Sequence, residues 1–318
     1  MFHPTLSKSG RFFFWPIIKL CEFMGNHTPE LLLKIRYLFV FKKTLNLQNP
    51  QNLNEKILWA KLYSDTSQWT RLADKYEVRK YIEEIGLGDI LVKLYAAWFK
   101  KEDVDFDALP ESFIIKANNG DGKGTNKIIH KSELTPKKKQ EYIDLIGEWL
   151  GRKNIGALHA EPHYKNMRPC VIAEEVLPCE AGSSSLTDYK IWCFNGKAYY
   201  VRVYNNRNAS GNSASVMTYD MDWNAHPEFA VSNSDYSKGE IISKPKNFEK
   251  MIEIAEKLSN GFPELRVDLY NVDGKIYFGE LTFTSQGGFM DNITPGFNKE
   301  LGEKFDIQDF PLKKKSGI

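Results

Sequence analysis

The sequence predicts an α+β fold, with helices in the first part of the chain and antiparallel hairpins in the second. Apolar residues recur at helical spacing over residues 52–85, as on one face of an amphipathic helix. The second half contains two alternating stretches that are interrupted by Asn195-Gly196 and Asp273-Gly274, favoured pairs for the two-residue turn of a β-hairpin. At 318 residues and 42% hydrophobic, the chain can bury one large core or two moderate ones.

Residues 1–50 form the first predicted unit, a basic and aromatic helical segment. Its apolar runs are interrupted by charged residues well short of the roughly 20 apolar residues that a membrane span requires. Residues 1–43 carry seven Lys or Arg against two Glu, so a helix pair lying on an anionic membrane surface is one interpretation. The other is a helix pair whose apolar faces pack onto the main body.

Residues 51–110 are predicted to be a helix-rich region. Asp74-Lys75 opens a run of apolar residues at helical spacing, and this run ends at Gly86 and Gly88. Glycine just after the last periodic residue is typical of a helix C-terminus.

Residues 111–175 are predicted to form a small lobe around a strand and a glycine-rich loop. The apolar run 113–115 leads into Lys116 and then into residues 119–125, with three glycines in five positions. Backbone N–H groups of such a loop can wrap phosphate oxygens, and a lysine at the strand end adds positive charge. The spacing of a Walker A loop is absent. A glycine-rich hairpin turn with incidental lysines fits this stretch as well.

Residues 176–318 are predicted to form a second, larger lobe rich in strands. The polar stretch 205–247 surrounds one short strand, Val216–Tyr219, and is expected to be a long surface excursion or a lid. Residues 248–261 have the spacing of an amphipathic helix that closes at Gly261.

The hairpin Leu265–Leu281 carries the first functional prediction. The pairing would place two carboxylates side by side, and if Arg266, Asp268 and Glu280 share one face of the paired strands, a cation lies beside them. A cation beside two hard oxygen ligands suits a divalent metal and a polyphosphate. The alternative is that both carboxylates are solvated residues on the open face of an antiparallel sheet.

Composition limits the class of protein. The formal net charge of +2 supports no nucleic-acid partner. The four cysteines show no CxxC spacing, so neither a zinc site nor a disulfide framework is indicated and a reducing cytoplasm fits. We therefore expect a cytoplasmic protein, located at the inner face of the membrane if residues 1–43 bind it.

The order of these blocks resembles the ATP-grasp superfamily over roughly residues 74–288. The blocks are a helical Asp-Lys, a strand-end Lys with a glycine-rich loop, Val171-Ile-Ala-Glu-Glu-Val-Leu177, an Asp-x-Lys hairpin, and Arg-x-Asp followed by Glu-x-Thr. Leu53-Asn-Glu-Lys56, Ala73-Asp-Lys-Tyr-Glu-Val-Arg79 and Asp105-Phe-Asp-Ala-Leu-Pro110 resemble the TupA-like branch of teichuronopeptide and capsular-polysaccharide biosynthesis proteins. The resemblance implies two α+β lobes that clamp ATP between antiparallel sheets.

The resemblance also implies residue roles. Two lysines and the glycine-rich loop would contact ATP phosphates, the 174–177 backbone would bind adenine, and Asp188 would hold the ribose. Arg266 would steady an acyl phosphate, with Lys190 near the phosphates or acceptor. The implied ATP-contacting residues are Lys75, Lys116, Asn119, Gly120, Gly122, Gly124, Thr125, Glu174, Glu175, Val176, Leu177 and Asp188.

The implied Mg²⁺ ligands depart from the family pattern at one position. Asp268 and Glu280 match the two carboxylates, but the usual Glu-x-Asn is Glu280-Leu-Thr282. A threonine hydroxyl is a neutral oxygen donor that is shorter than an amide. Thr282, a water or Thr284 would take the place of the asparagine.

The implied activity is an ADP-forming ligation. ATP would convert a substrate carboxylate into an acyl phosphate, and an amine would displace phosphate; the substrates would be an amino acid and a uronic-acid sugar on a nucleotide or lipid carrier. A glycosyltransferase is the alternative, since some members of the branch carry that label, although Asp220-Met-Asp222 is expected to be a turn. A nucleotide-binding scaffold without turnover is a third possibility. The oligomeric state is left open, a dimer included.

Overall fold

A computed structural model of the chain describes residues 8–120, 124–152, 155–179, 185–207 and 213–313, with side chains from Trp15 onward. No described helix is long and apolar enough to cross a membrane. Sequence signals account for the helix starts: the Asn52 side chain accepts a hydrogen bond from the Glu55 backbone N–H, and Thr135 caps a helix with proline at its first position. The described α-helices are α1 Lys8–His27, α2 Pro29–Phe41, α3 Leu53–Tyr63, α4 Ser67–Leu72, α5 Val78–Glu84, α6 Pro136–Leu150, α7 Pro162–Lys165, α8 Phe248–Ser259 and α9 Pro295–Gly302.

The described strands form two sheets, one of four strands and one of six. The smaller sheet has the order β1-β4-β2-β3, and the larger has β10-β9-β5-β6-β7-β8. All described pairs are antiparallel except β7 with β8. The strands are β1 Leu94–Trp98, β2 Ser112–Ala117, β3 Asn126–His130, β4 Val171–Glu174, β5 Asp188–Phe194, β6 Lys197–Asn205, β7 Ala214–Tyr219, β8 Tyr236–Lys238, β9 Glu264–Val272 and β10 Lys275–Thr282.

The smaller sheet packs against α6. Ile146 and Trp149 of α6 share a core with Phe113 and Ile115 of β2, whose buried residues alternate with half-buried ones as expected for a strand covered on one face. β1 lies within the region predicted to be helix-rich, and it joins this sheet through β4.

The larger sheet contains both predicted hairpins, which are confirmed. At the turns, Asn195, Gly196, Asp273 and Gly274 all have positive φ, the conformation that a tight hairpin turn with these residue types requires. α8 covers one face of this sheet, and its buried residues share the largest core with residues of β5, β6 and β9. The polar stretch after β6 supplies β7 and β8, so part of it belongs to the sheet.

The N-terminal helices lie against the body of the protein on one side. Leu32, Leu33 and Tyr37 of α2 are buried in a core shared with Leu58 of α3. α1 approaches residues 157–159 closely at Gly25, where an added Cβ would lie 1.7 Å from the Ala157 carbonyl oxygen. Both helices are thus held by their inner faces.

Candidate functional site

One face of the larger sheet, opposite the face covered by α8, carries a row of charged side chains. Lys190 on β5 lies opposite Asp268 on β9, which in turn lies opposite Glu280 on β10. The register of the β9–β10 pair shifts between Phe278 and Glu280. This β-bulge brings Glu280 beside Asp268, so the predicted pair of carboxylates is formed.

Arg266 holds this row together. Its Nε and Nη2 atoms donate to the two carboxylate oxygens of Asp268 at 2.6 and 2.7 Å, the bidentate geometry of a strong charge-assisted pair. Nη2 also contacts Glu280 Oε1 at 3.1 Å and Thr282 Oγ1 at 2.9 Å. Nη1 donates to Ser285 Oγ at 3.3 Å. The guanidinium is therefore fixed by groups from β9, from β10 and from the segment after β10.

The charges of the row shift the pKa values of its members. Burial alone would raise the pKa of Glu280, but Lys75, Lys190 and Arg266 outweigh it and lower that pKa to about 2. Burial would lower the pKa of Lys190, but Asp188 and Asp268 more than offset it, so its pKa is raised. Both side chains are therefore charged at neutral pH.

Asp188 extends the row along β5. Its carboxylate lies 2.8 Å from Lys190 Nζ and 3.0 Å from Arg207 Nη2. Lys190 also donates to Asp268, so it lies between two carboxylates. This places the residue matched to ribose binding next to the metal-ligand candidates.

A second group of charges lies on the smaller sheet. Glu174 ends β4, and its carboxylate pairs with Lys116 Nζ at 2.8 Å and with Arg79 Nη1 at 2.9 Å. Arg79 also donates to the Val92 carbonyl at 2.7 Å. The backbone N–H of Glu175 then bonds to the Lys93 carbonyl at 3.0 Å; Val176 is half-buried and Leu177 is buried.

Lys75 lies where these two groups meet. Its Nζ donates to the Gly120 carbonyl at 2.9 Å and lies 3.8 Å from Glu280 Oε2. The preceding Asp74 accepts from the Asn118 amide at 2.6 Å, which ties this turn to the end of β2. The lysine thus contacts the smaller sheet's loop and the larger sheet's β10 together.

The glycine-rich loop is described at its two ends. Asn119 is buried with its Oδ1 atom unpaired among the described residues. A Cβ at Gly120 would lie 2.3 Å from Thr125 Oγ1, so this close approach requires glycine; Gly124 has φ +72°. Gly122 lies outside the described residues.

Prediction from sequence missed two arginines of the site, Arg79 and Arg207. Arg79 ends the Ala73–Arg79 stretch that resembles the TupA-like branch, which implies no role for it, and Arg207 follows β6 in a stretch expected to be a surface excursion. With them, six cations face four carboxylates, which leaves a formal charge of +2 for the set (6 − 4). The set is Lys75, Arg79, Lys116, Lys190, Arg207, Arg266, Glu174, Asp188, Asp268 and Glu280.

The oxygen donors fit a nucleotide-bound Mg²⁺ better than a metal held by protein alone. Within the described ranges, no group of three or more His, Cys, Asp or Glu side chains could hold a metal ion. Mg²⁺ at phosphate-transfer sites needs only one or two carboxylates, with phosphates and waters completing its shell. Asp268 and Glu280 meet that need, and Thr282 lies 3.3 Å from Glu280 Oε1. Thr284 instead donates to Glu161 at 2.6 Å.

Asp220-Met-Asp222, the candidate metal motif of a glycosyltransferase, forms a turn. Asp220 Oδ1 accepts from the backbone N–H groups of Asp222 and Asn224 at 3.0 and 2.8 Å. This is the geometry of a side chain that stabilises its own turn. His163 is buried and meets the Trp69 ring in an edge contact, and burial lowers its pKa to about 3.

Comparison with known proteins gives one family match. The family model described as TupA-like ATPgrasp matches residues 55–306, which is more than half of the chain. No curated protein matches the sequence.

Solved structures are similar at low identity. The D-alanine–D-alanine ligase from Bacillus anthracis complexed with ATP is 16% identical, with a TM-score of 0.41, over 70% of this chain and 58% of that one. The ADP complex of purK, N5-carboxyaminoimidazole ribonucleotide synthetase, is 15% identical, with a TM-score of 0.42, over 69% and 46%. The ATP-grasp ligase PsnB with a precursor variant, Mg and ADP is 12% identical, with a TM-score of 0.37, over 82% and 63%. The chain spans less than two thirds of the length of each of these three proteins.

Proposed function

The chain belongs to the TupA-like ATP-grasp family, and from this membership we propose that it is an ATP-dependent, ADP-forming carboxylate–amine ligase. The observation that carries the proposal is the bidentate pair of Arg266 with Asp268, which is surrounded by Glu280, Lys190 and Lys75. Buried charges in this number are costly even when paired, and such clusters are typical of functional sites. The net positive set between the two sheets suits a triphosphate.

The proposed reaction has two steps. An oxygen of the substrate carboxylate attacks the γ-phosphorus of ATP, the bond to the bridging oxygen breaks, and ADP leaves with that electron pair. An amine nitrogen then attacks the acyl carbon, gives up a proton to solvent, and phosphate leaves with the former carboxylate oxygen. No protein nucleophile is required.

The side chains of this chain supply positioning and charge. Lys75 and Lys116 are proposed to contact the phosphates, because Lys75 Nζ donates to the Gly120 carbonyl of the loop and Lys116 Nζ, at the end of β2, donates to Glu174. Arg266 is proposed to stabilise negative charge on the transferred phosphoryl group, and Lys190 to hold the acceptor carboxylate or the same phosphate. Because the protein holds these charges in place before the reaction, no free energy is needed to reorient them in the transition state.

The remaining nucleotide contacts are proposed from the family match. The loop residues Asn119, Gly120, Gly122, Gly124 and Thr125 would cover the phosphates. The backbone of residues 174–177 would bind the adenine edge, and Asp188 the ribose.

Asp268 and Glu280 are proposed to hold Mg²⁺, with Thr282 as a third, neutral donor. When bound, the ion would neutralise phosphate charge during transfer. Arg266 already occupies both Asp268 oxygens, so the arginine orients this carboxylate. Glu280 is the more accessible of the two, with a side chain 37% exposed against 2% for Asp268.

The proposed substrates are an amino acid or similar amine and the carboxylate of a uronic-acid sugar, carried by a nucleotide or a lipid in surface-polysaccharide biosynthesis. This assignment rests on the TupA-like branch alone, whereas the reaction type rests on the family match together with the charges of the site.

An ADP-release assay tests the function. The full-length protein is incubated with MgATP and a matrix of uronic-acid nucleotides and amino acids, each also tested alone. We expect ADP only when a carboxylate acceptor is present, and amide product only when acid and amine are combined. Transfer of a sugar from its nucleotide donor without ATP would contradict the proposal.

A further inference from the structure

The first two helices expose most of the large apolar side chains that the described residues leave in solvent. Eight of twelve such side chains lie on α1 and α2, whereas their inner faces are buried against α3 and residues 157–159. A concentration of this kind marks an interaction surface, since single exposed apolar residues are normally scattered. The eight are Trp15, Ile17, Leu20, Phe23, Leu31, Ile35, Leu38 and Phe39.

The exposed side chains follow helical stripes. On α2, Leu31, Ile35 and Leu38 are spaced four and three residues apart, and Phe39 lies four residues after Ile35, so all four share one side. Leu38 is 53% exposed and Phe39 59%. The opposite side of α2 holds the buried Leu33. The helix therefore has two apolar sides, and the described residues cover one of them.

Positive charge lies at the C-terminal end of the exposed stripe. Lys42 follows Leu38 by one helical turn, and both Lys42 and Lys43 are exposed. The carboxylates of the two helices are already paired, Glu22 with Lys19 at 2.7 Å and Glu30 with Lys34 at 2.6 Å. The surface that remains is apolar and cationic.

We propose that the α1–α2 surface, defined by the eight exposed apolar side chains together with Lys42 and Lys43, docks on an anionic lipid surface. Aromatic and leucine side chains enter the boundary between headgroups and acyl chains, while lysines beside them attract anionic headgroups. A second copy of the chain would bring lysines against lysines, which disfavours self-association through this face. The positive charge of Lys42 and Lys43 therefore favours an anionic lipid surface over a second copy of the chain. The inference is independent of the proposed reaction.

Co-sedimentation with vesicles tests the proposal on the full chain. Vesicles of 70% phosphatidylcholine and 30% phosphatidylglycerol should bind the protein, and pure phosphatidylcholine vesicles should bind it at least tenfold more weakly. Leu38→Asp with Phe39→Asp should reduce binding to the anionic vesicles at least tenfold. Lys42→Glu with Lys43→Glu should do the same, and 0.5 M NaCl should weaken binding by the wild type.

Ile241→Asp is the matched control, since Ile241 is 70% exposed and lies outside the α1–α2 surface; this variant should bind like the wild type. Circular dichroism checks that the variants are folded. Absence of binding to anionic vesicles, or equal binding by the Leu38→Asp, Phe39→Asp variant, would overturn the proposal. A concentration-dependent dimer that this double variant dissociates, without vesicle binding, would assign the surface to a second copy instead.

Discussion

Lys75 Nζ lies 3.8 Å from Glu280 Oε2, although the two residues come from opposite parts of the chain. The same Nζ donates to the Gly120 carbonyl at 2.9 Å. Lys75 is therefore the point at which the glycine-rich loop and the last strand of the larger sheet meet. A phosphate that contacts Lys75 in this position would also lie next to the proposed metal carboxylate.

Glu280→Gln should reduce kcat at least 100-fold and leave the fold intact. Glu280 is partly exposed, and Arg266 pairs with Asp268 as well as with Glu280. The amide therefore removes the negative charge of Glu280 while the buried Arg266 keeps a carboxylate partner. ADP release measures the effect, with circular dichroism as the check on folding. Asp273→Asn at the tip of the same hairpin, where the side chain is 93% exposed, is the matched control and should retain full activity. Near-normal turnover of Glu280→Gln would remove the metal assignment.

Asp268→Asn should abolish turnover and also destabilise the protein. The Asp268 carboxylate is 2% exposed and is the partner of both Arg266 and Lys190. Removing one partner of a buried ion pair costs about 3–5 kcal/mol. Urea unfolding of this variant beside Glu280→Gln measures the difference, and equal stabilities of the two variants would contradict the role of Asp268 as the structural centre of the row.

The position of Glu280 depends on a single glycine. From the turn to Phe278, β10 pairs with β9 in a register that would bring Glu280 opposite Val267, on the face covered by α8. The bulge between Phe278 and Glu280 moves Glu280 opposite Asp268 instead. A Cβ on Gly279 would lie 2.9 Å from the Asp268 carbonyl oxygen, closer than Cβ atoms normally approach. Glycine thus allows the bulge.

Gly279→Ala should therefore reduce activity more than it reduces stability. The added methyl group forces β9 and β10 apart or out of the bulge, which moves Glu280 away from Asp268, whereas the core residues on the other face keep their packing. We expect at least a tenfold loss of kcat with a loss of unfolding free energy of about 1–3 kcal/mol. ADP release and urea unfolding measure the two effects; full activity would show that the bulge does not require glycine.

Glu264 makes the stability depend on pH. It lies two residues before Arg266 on the same face, is 2% exposed, and its Oε1 has no partner among the described residues. Burial raises its pKa to about 8, although Arg266 acts in the opposite direction. A raised pKa in the folded state gives stability that is fully present below the unfolded value of 4.5 and is lost as pH rises through about 8.

Glu264→Gln should remove this dependence. Between pH 5 and pH 8.5 the unfolding free energy of the wild type should fall relative to that of the variant by on the order of 4 kcal/mol. Urea unfolding at several pH values measures the difference. Parallel curves for the two proteins would show that Glu264 titrates normally.

The hairpins could be predicted from sequence because Asn195-Gly196 and Asp273-Gly274 specify the turn locally. Strand β1 could not be predicted from sequence, because Leu94–Trp98 is short and its apolar and polar residues do not alternate. Its strand conformation depends on pairing with β4. Contacts between side chains that are far apart in the sequence could not be predicted either. Arg79 meets Glu174 across 95 residues, and no local pattern reports that contact.

The sequence predicts that Asp268 and Glu280 lie side by side on one face. Regular pairing across a two-residue turn would instead put Glu280 opposite Val267, on the other face of the sheet. The prediction holds because of the bulge at Gly279. A glycine inside a strand is the signal that could have indicated it.

Transfer of ¹⁸O from the substrate carboxylate to phosphate tests the central claim most directly. The acyl phosphate mechanism requires that a carboxylate oxygen leaves with phosphate when the amine attacks. With an acid substrate found in the ADP-release matrix and labelled in its carboxylate, we expect one ¹⁸O atom in each phosphate released during amide formation. Phosphate without label in an otherwise active reaction would contradict the account.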